Sequence, residues 1–143
     1  MANTLFMSGR QGFLDGSIDW DTNTIKVLLV SKGANGNGYP AVTDITFLTQ
    51  IPDSAKVRFV ETALGAKTVA SGIADADDCT ASAVSAPNAN SAIGSIIIYA
   101  DSGSPSTSRL IAYIDTATGL PCSANGGDIQ LSWANTTSRI FML

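Results

Sequence analysis

The sequence predicts an all-β protein: a jelly-roll-like β-sandwich of about eight strands with a short N-terminal helix or arm. Residues 128–133 (DIQLSW) alternate strictly between polar and apolar side chains, which is the pattern of a strand with one buried face. Residues 96–99 (IIIY) are all β-branched or aromatic, and turn-forming stretches such as SGSP, TGLP and NGG separate the strand candidates. An immunoglobulin-like sandwich is disfavoured, because neither tryptophan lies between the two cysteines.

The first half of the chain is predicted to begin with a short helix. Asn3 or Thr4 can cap this helix, and Gly16 ends it, because glycine tolerates the left-handed conformation that often follows a helix. The stretch TIKVLLV over residues 24–30 is the most hydrophobic strand candidate of this half and is expected to be central in its sheet. The predicted elements are a helix over 3–14, strands over 17–20, 24–30 and 55–64, a loop over 31–40 and a helical turn over 43–50.

The second half is predicted to consist of strands, over 67–71, 79–84, 96–99, 109–115, 128–133 and 139–143. The three strands between residues 96 and 133 are expected to form an antiparallel meander, whose apolar face needs a second layer to cover it. Alternation along the strand candidates predicts a core of Ile25, Val27, Leu29, Val57, Phe59, Ile96, Ile98, Leu110, Ala112, Ile114, Ile129, Leu131 and Trp133.

Length and charge limit the possible functions. The 143 residues are expected to form one domain over 1–143, in which 1–14 is the N-terminal helix or arm. The chain has 12 acidic and 8 basic residues and its bases are scattered, so neither nucleic acid nor an anionic membrane is expected as a partner. Its apolar runs are far too short to span a membrane, and its first ten residues lack the pattern of a signal peptide, so function without secretion is expected.

The residue types that catalysis needs are scarce. The chain has no histidine, which removes the most common general base and a common metal ligand. No G-x-S-x-G motif is present, and Cys79 and Cys122 lack the close spacing of a zinc knuckle. We therefore predict no enzymatic activity, no cofactor and no required metal, and we expect the two cysteines to be buried or half-buried free thiols.

The acidic stretch DADD is the best candidate for a cation site. Asp75, Asp77 and Asp78 could supply oxygen ligands to calcium, but the glycine and glutamate positions of an EF-hand loop are absent. A solvated turn, in which aspartate side chains cap local backbone amides, is the favoured interpretation.

The two tryptophans admit a structural and a binding interpretation. Trp133 continues the apolar face of the strand over 128–133 and is expected to pack in the core. Trp20 lies between Asp19 and Asp21, so it is either a core residue or a platform for a sugar ring, and the sequence does not decide between the two.

Four stretches form motifs that are not catalytic. They are TLFMSGRQGFLDGSIDWDTNTIKVLLV over 4–30, KTVASGIADADD over 67–78, SRLIAYIDTATGLP over 108–121 and NGGDIQLSWANTTSRIFML over 125–143. In these stretches, which cover half of the chain, the sequence resembles a group of small tailed-bacteriophage virion proteins that look like capsid decoration, or cement, proteins.

The resemblance implies a jelly-roll-like fold and a structural role in the virion. It implies self-association as a homo-oligomer, a dimer or trimer, and binding to the lattice of major capsid protein on the outer capsid surface, after synthesis in the host bacterial cytoplasm. Such a protein needs no chemistry, because binding the assembled lattice and not the free subunits stabilises the shell by linkage. The alternative is a tail-associated receptor- or carbohydrate-binding module, for which Trp20 with its neighbouring carboxylates is the only candidate site.

The N-terminal segment supplies the candidate capsid contacts. Phe6, Phe13 and Leu14 are expected to anchor the protein in grooves of the capsid. On this hypothesis, removal of residues 1–14 leaves the β fold intact and lowers the occupancy of the protein on capsids.

Two central strands supply the candidate self-association residues. The segments around residues 96–99 and 110–114 are apolar on both faces. Together they carry more apolar surface than one small sandwich core needs. A second copy of the chain would cover the surplus face. The candidate residues on that face are Ile97, Tyr99, Ile111 and Tyr113.

Overall fold

The computed structural model describes residues 3–31, 44–51, 58–85, 92–135 and 139–143, and of residues 58–60 it describes the backbone. Within these ranges the chain is an all-β sandwich with a short N-terminal helix, as predicted. No helix in this part of the chain is both long and apolar enough to cross a membrane. The predicted loop over 31–40, apart from its first residue, and the start of the strand predicted over 55–64 lie outside the described residues.

Short strands dominate the secondary structure. The strands are β1 (Thr4–Leu5), β2 (Ile25–Ser31), β3 (Arg58–Ala63), β4 (Thr68–Ala70), β5 (Ile73–Asp75), β6 (Cys79–Ala81), β7 (Ala92–Ala100), β8 (Arg109–Ile114), β9 (Cys122–Ser123), β10 (Ile129–Leu131) and β11 (Phe141–Met142). The described helical elements are α1 (Met7–Asp15) and a 3-10 turn over Leu48–Gln50.

The largest sheet is antiparallel and has the strand order β1-β8-β7-β2-β3, with β9 also pairing with β7. β2 lies between β7 and β3, which confirms its predicted central position. Six of its seven residues are buried, because side chains pack on both faces of the sheet. A strand that is covered on both faces reads as a continuous apolar run, which explains the TIKVLLV sequence.

The predicted meander is wrong in its third strand. β7 and β8 pair as expected, but β10 pairs with β6 in a separate two-stranded sheet. The other edge of β8 is occupied by β1, through the register Thr4↔Tyr113 and Leu5↔Ala112. A third sheet has the order β11-β5-β4, and the two small sheets together form the second layer of the sandwich.

The core consists of two clusters, one on each face of the largest sheet. The larger cluster lies between this sheet and the two small sheets, and includes Ile25, Val27, Leu29, Ala74, Ala81, Ile93, Ile96, Ile98 and Leu131. The smaller cluster lies on the opposite face and consists of Phe6, Leu28, Val30, Leu48, Ile51, Ile97, Tyr99, Leu110 and Tyr113.

Most of the predicted core is confirmed. Eight of the thirteen predicted residues are buried: Ile25, Val27, Leu29, Ile96, Ile98, Leu110, Ala112 and Leu131. Ile114, Ile129 and Trp133 are half-buried against the larger cluster, so the predicted register of the last of these strands is correct. The side chains of Val57 and Phe59 lie outside the described part of the structure.

A β-bulge divides the apolar residues of β8 between the two clusters. The pairing of β7 with β8 shifts between Ile98↔Ala112 and Tyr99↔Leu110, so Ile111 is the extra residue. As a result Ile111 packs in the larger cluster and Leu110 packs in the smaller one. Simple alternation along the strand predicts the opposite assignment for both residues.

The N-terminal segment differs from the predicted helix over 3–14. Residues 4 and 5 form β1, and α1 starts only at Met7. Asn3 does not cap the helix, because its side-chain oxygen accepts hydrogen bonds from the backbone N–H groups of Asp115 and Thr116. Gly16 ends the helix in the left-handed conformation at φ 75°, as predicted.

The strand predicted over 17–20 is also wrong. The Asp19 carboxylate accepts the backbone N–H groups of Asp21 and Thr22, and the Asn23 side chain accepts the N–H of Asp19. These local hydrogen bonds stabilise a turn, which competes with the extended conformation.

Candidate functional site

The acidic DADD stretch has a structural role in the fold. The Asp75 carboxylate forms an ion pair with Arg139, at 3.1 Å between Oδ2 and Nη1. The Asp78 carboxylate accepts the backbone N–H of Trp133 at 2.9 Å. The predicted local caps are therefore replaced by partners more than fifty residues away in sequence. Among the described residues, no group of three or more cysteine, aspartate or glutamate side chains could hold a metal ion.

The backbone of the same stretch accepts hydrogen bonds from both tryptophan side chains. The indole Nε1–H of Trp20 donates to the carbonyl oxygen of Asp75 at 2.9 Å, and that of Trp133 donates to the carbonyl oxygen of Asp77 at 3.1 Å. Trp20 is only 3% exposed, and its ring meets that of Phe141 edge to face, with the centroids 5.2 Å apart. A buried ring cannot stack on a sugar, so Trp20 cannot serve as a carbohydrate-binding platform.

The predicted capsid contacts occupy three different environments. Phe6 is wrong as a surface anchor, because its side chain is fully buried in the smaller core cluster. Phe13 is half-buried, and its ring lies 5.7 Å from that of Phe141. Leu14 is 85% exposed on the outer side of α1.

The predicted self-association residues are buried within the chain itself. Phe6, Leu48 and Ile51 belong to the cluster that covers the second face of the sheet, so that face is no free surface. Ile97, Tyr99, Ile111 and Tyr113 each have at most 1% of their surface exposed. This set is therefore wrong as an interface.

An apolar groove lies where the end of α1, the following turn and the β11-β5-β4 sheet meet. It has a volume of about 280 Å³. Val69, 51% exposed, and Leu143, 61% exposed, lie at its mouth. The groove is lined by Phe13, Gly16, Ile18, Asp19, Trp20, Val69, Gly72, Ala74, Phe141 and Leu143.

A tight hairpin presents Val69 to this groove. β4 and β5 pair through Ala70↔Ile73, which leaves Ser71 and Gly72 as a two-residue connection. Both connecting residues have positive φ, 53° and 78°, as a type I′ hairpin turn requires. A Cβ added at Gly72 would lie 3.1 Å from the carbonyl oxygen of Leu143, so glycine also permits the close approach of the last strand.

The charge on the groove is negative. Asp19 lines it, and Asp21 is exposed two residues later in the same turn. Hydrogen bonds from Thr22 and then from Asp21 lower the pKa of Asp19, so its carboxylate is ionised at neutral pH. No lysine or arginine is among the described residues that line the groove.

A second, polar groove of about 310 Å³ lies on the other side of the same turn. It is lined by Ser17, Ile18, Asn23, Thr24, Ala100, Asp101, Ser102, Thr107 and Arg109. Its hydroxyl groups bond to each other and to the backbone of the 101–108 loop, as Ser102 does to Thr107 and to the carbonyl oxygen of Ser104. The loop therefore satisfies its own polar groups.

Val69, Phe141 and Leu143 were not predicted from the sequence as residues of a surface groove. A single apolar residue in a short strand has no sequence signal that separates an exposed position from a buried one.

A scan against models of protein families and a search of curated proteins found no match to this chain.

Proposed function

We propose that this chain is a structural virion protein that decorates and stabilises the outer surface of a tailed-phage capsid, as a cement protein bound to the major capsid protein lattice. One observation carries the proposal: every residue lining the apolar groove belongs to a stretch that resembles phage decoration proteins. Stretch 4–30 supplies one wall, and stretches 67–78 and 125–143 supply the other.

The physical requirements of such a function are modest. A protein that binds the assembled lattice and not free capsid subunits stabilises the shell, and the stabilisation increases with the concentration of free protein relative to its Kd. Many copies on one shell need only weak individual contacts, because an oligomer that touches several subunits gains avidity. An open apolar groove with exposed apolar residues at its mouth is suited to a contact of this kind.

The proposal includes a homo-oligomer, a dimer or trimer, with a jelly-roll-like subunit and a location on the outer capsid surface. These parts are supported by the resemblance. Since Ile97, Tyr99, Ile111 and Tyr113 are buried in the subunit, the oligomer needs a different surface. The tail-associated receptor- or carbohydrate-binding module has no support from the described residues, because its one candidate ring, that of Trp20, is buried.

Two measurements on the phage that encodes the chain test the proposal. Quantitative gel analysis of purified virions should give the protein in a fixed ratio to the major capsid protein. Capsids stripped of the protein should melt at a lower temperature and regain their stability when purified protein is added back. A protein found only on tails, or in a few copies per virion, would overturn the proposal.

A further inference from the structure

The outward face of α1 carries an unpaired apolar and basic stripe. Met7, Arg10 and Leu14 lie three, four and seven residues apart, which places them on one side of a helix. Met7 is 57% exposed and Leu14 is 85% exposed. Arg10 is exposed and forms no ion pair with any described residue.

The apolar groove has the opposite character. Its floor includes the rings of Trp20 and Phe141, Val69 lies at its mouth, Asp19 lines it, and Asp21 is exposed in the same turn. Its volume of about 280 Å³ is close to the lower limit for small-molecule sites, about 300–1,000 Å³. The groove thus suits one or a few apolar side chains with a cation beside them.

We propose that the groove of one copy receives the α1 stripe of a second copy, with Met7 or Leu14 in the groove and Arg10 beside the carboxylates of Asp19 and Asp21. This inference specifies the self-association that belongs to the proposed function. The stripe supplies apolar side chains that can fill the groove. It also supplies a positive charge opposite the carboxylates beside the groove. Methionine and arginine are also enriched in protein interfaces.

The contact is compatible with two types of closed oligomer. Two copies can exchange helices reciprocally about a two-fold axis, so that each stripe lies in the groove of the other copy. Alternatively, each copy donates its helix to one neighbour and receives the helix of another, and this head-to-tail contact closes into a ring when the rotation between copies permits it. The first arrangement gives a dimer, and the smallest ring of the second kind is a trimer.

Sedimentation velocity of the full chain over a range of concentrations tests the contact. Met7→Asp places a charge on the stripe, and Val69→Arg places a cation at the mouth of the groove, opposite Arg10. Each is expected to weaken self-association about tenfold or more. Thr68→Arg is the matched control: it adds the same charge one residue earlier in β4, where the side chain points to the opposite face, and should leave association unchanged.

A charge exchange makes the test specific for these two surfaces. Arg10→Glu alone should weaken association, since it brings a carboxylate to Asp19 and Asp21. The double variant Arg10→Glu with Val69→Arg restores opposite charges across the contact and should regain most of the affinity that Val69→Arg loses. Circular dichroism and the melting temperature of each variant establish that the fold is retained.

The outcomes separate this inference from the proposed function. A wild-type chain that stays monomeric at every concentration, or variants that all associate like the wild type, would overturn the inference. If the wild type is monomeric and Val69→Arg lowers binding to capsids, the occupant is the capsid protein, and the inference fails while the proposed function stands. If the variants behave as expected and the chain does not bind capsids, the inference stands and the proposed function fails.

Discussion

Gly9 of α1 lies directly against the backbone of Ile111 in β8: a Cβ added at Gly9 would be 2.7 Å from both the Cα and the carbonyl oxygen of Ile111. The same contact brings Phe6 N–H to the Ile111 carbonyl oxygen at 2.9 Å, and the Ser8 hydroxyl to the Leu110 carbonyl oxygen at 2.8 Å. Where β1 ends, the start of the helix therefore supplies the hydrogen-bond donors for the next carbonyl groups of β8. The N-terminal segment is part of the folded structure and not a detachable arm.

Gly9→Ala should destabilise the protein. Real side chains do not approach a backbone to 2.7 Å, so the helix must move away from β8, at a cost of about 1–3 kcal/mol. This outweighs the gain of about 0.5–1 kcal/mol that alanine brings to a helix. Urea unfolding measures the difference. Gly65→Ala is the control, since a Cβ there meets nothing within 4 Å, and an equal loss in both variants would contradict the contact.

Phe6→Ala should lower the free energy of unfolding by about 3–5 kcal/mol, since it empties a fully buried site in the smaller core cluster. Removal of residues 1–14 should go further and leave a chain that unfolds or aggregates, contrary to the expectation from sequence that the fold survives. The control is Met142→Ala, which alters an exposed side chain outside the proposed contact and should change stability by less than about 0.5 kcal/mol. A truncated protein that melts like the full chain would refute this role.

The ion pair between Lys26 and Asp101 should make stability depend on pH at both extremes. Its Nζ–Oδ2 distance is 2.6 Å, and both side chains are partly buried. The hydrogen bond from Lys26 lowers the pKa of Asp101, so the stabilisation present above the unfolded pKa is lost as the pH falls below about 4. The bond to Asp101 raises the pKa of Lys26, so the stabilisation present below its unfolded value is lost as the pH rises beyond about 10.4.

Asp101→Asn tests this pair. It should lower the free energy of unfolding at pH 7 by about 0.5–1 kcal/mol and flatten the decrease of stability with acid. Asp77→Asn, which alters an exposed carboxylate without an ion pair among the described residues, is the control. Thermal melts between pH 2 and pH 7 measure both effects, and parallel curves for Asp101→Asn and wild type would argue against the pair.

The two cysteines should react slowly while the protein is folded. Both are free and half-buried, as predicted. Burial raises the pKa of both thiols, and the charge of Asp78 adds to the effect at Cys79. Since the thiolate is the reactive form, a chromogenic disulfide reagent at pH 8 should label the folded chain far more slowly than the urea-unfolded chain. Equal rates in the two states would show that the thiols are accessible.

Local patterns were sufficient for the long strands and for the end of the helix. β2 and β7 were recognised because a strand buried on both faces needs a continuous apolar run. Gly16 was recognised as the end of α1 because few other residues adopt the left-handed conformation without strain. For the candidate surface, the sequence singled out Phe13, which lines the groove, as a candidate contact, but it gave no sign that Val69, Phe141 and Leu143 lie in the same groove.

By itself, then, the sequence determined the all-β class, the central position of β2, most of the core and the scarcity of catalytic side chains. Only the tertiary structure decided that β1 and α1 cover β8, that β10 pairs with β6, that Ile111 is a bulge and that three distant stretches form one groove. The reason is physical. Periodicity is a property of residues that are close together in the sequence. Which segment pairs with the edge of a strand depends instead on competition among all segments of the chain. The hydrogen bond from Ser8 to Leu110, for example, joins residues that are 102 positions apart.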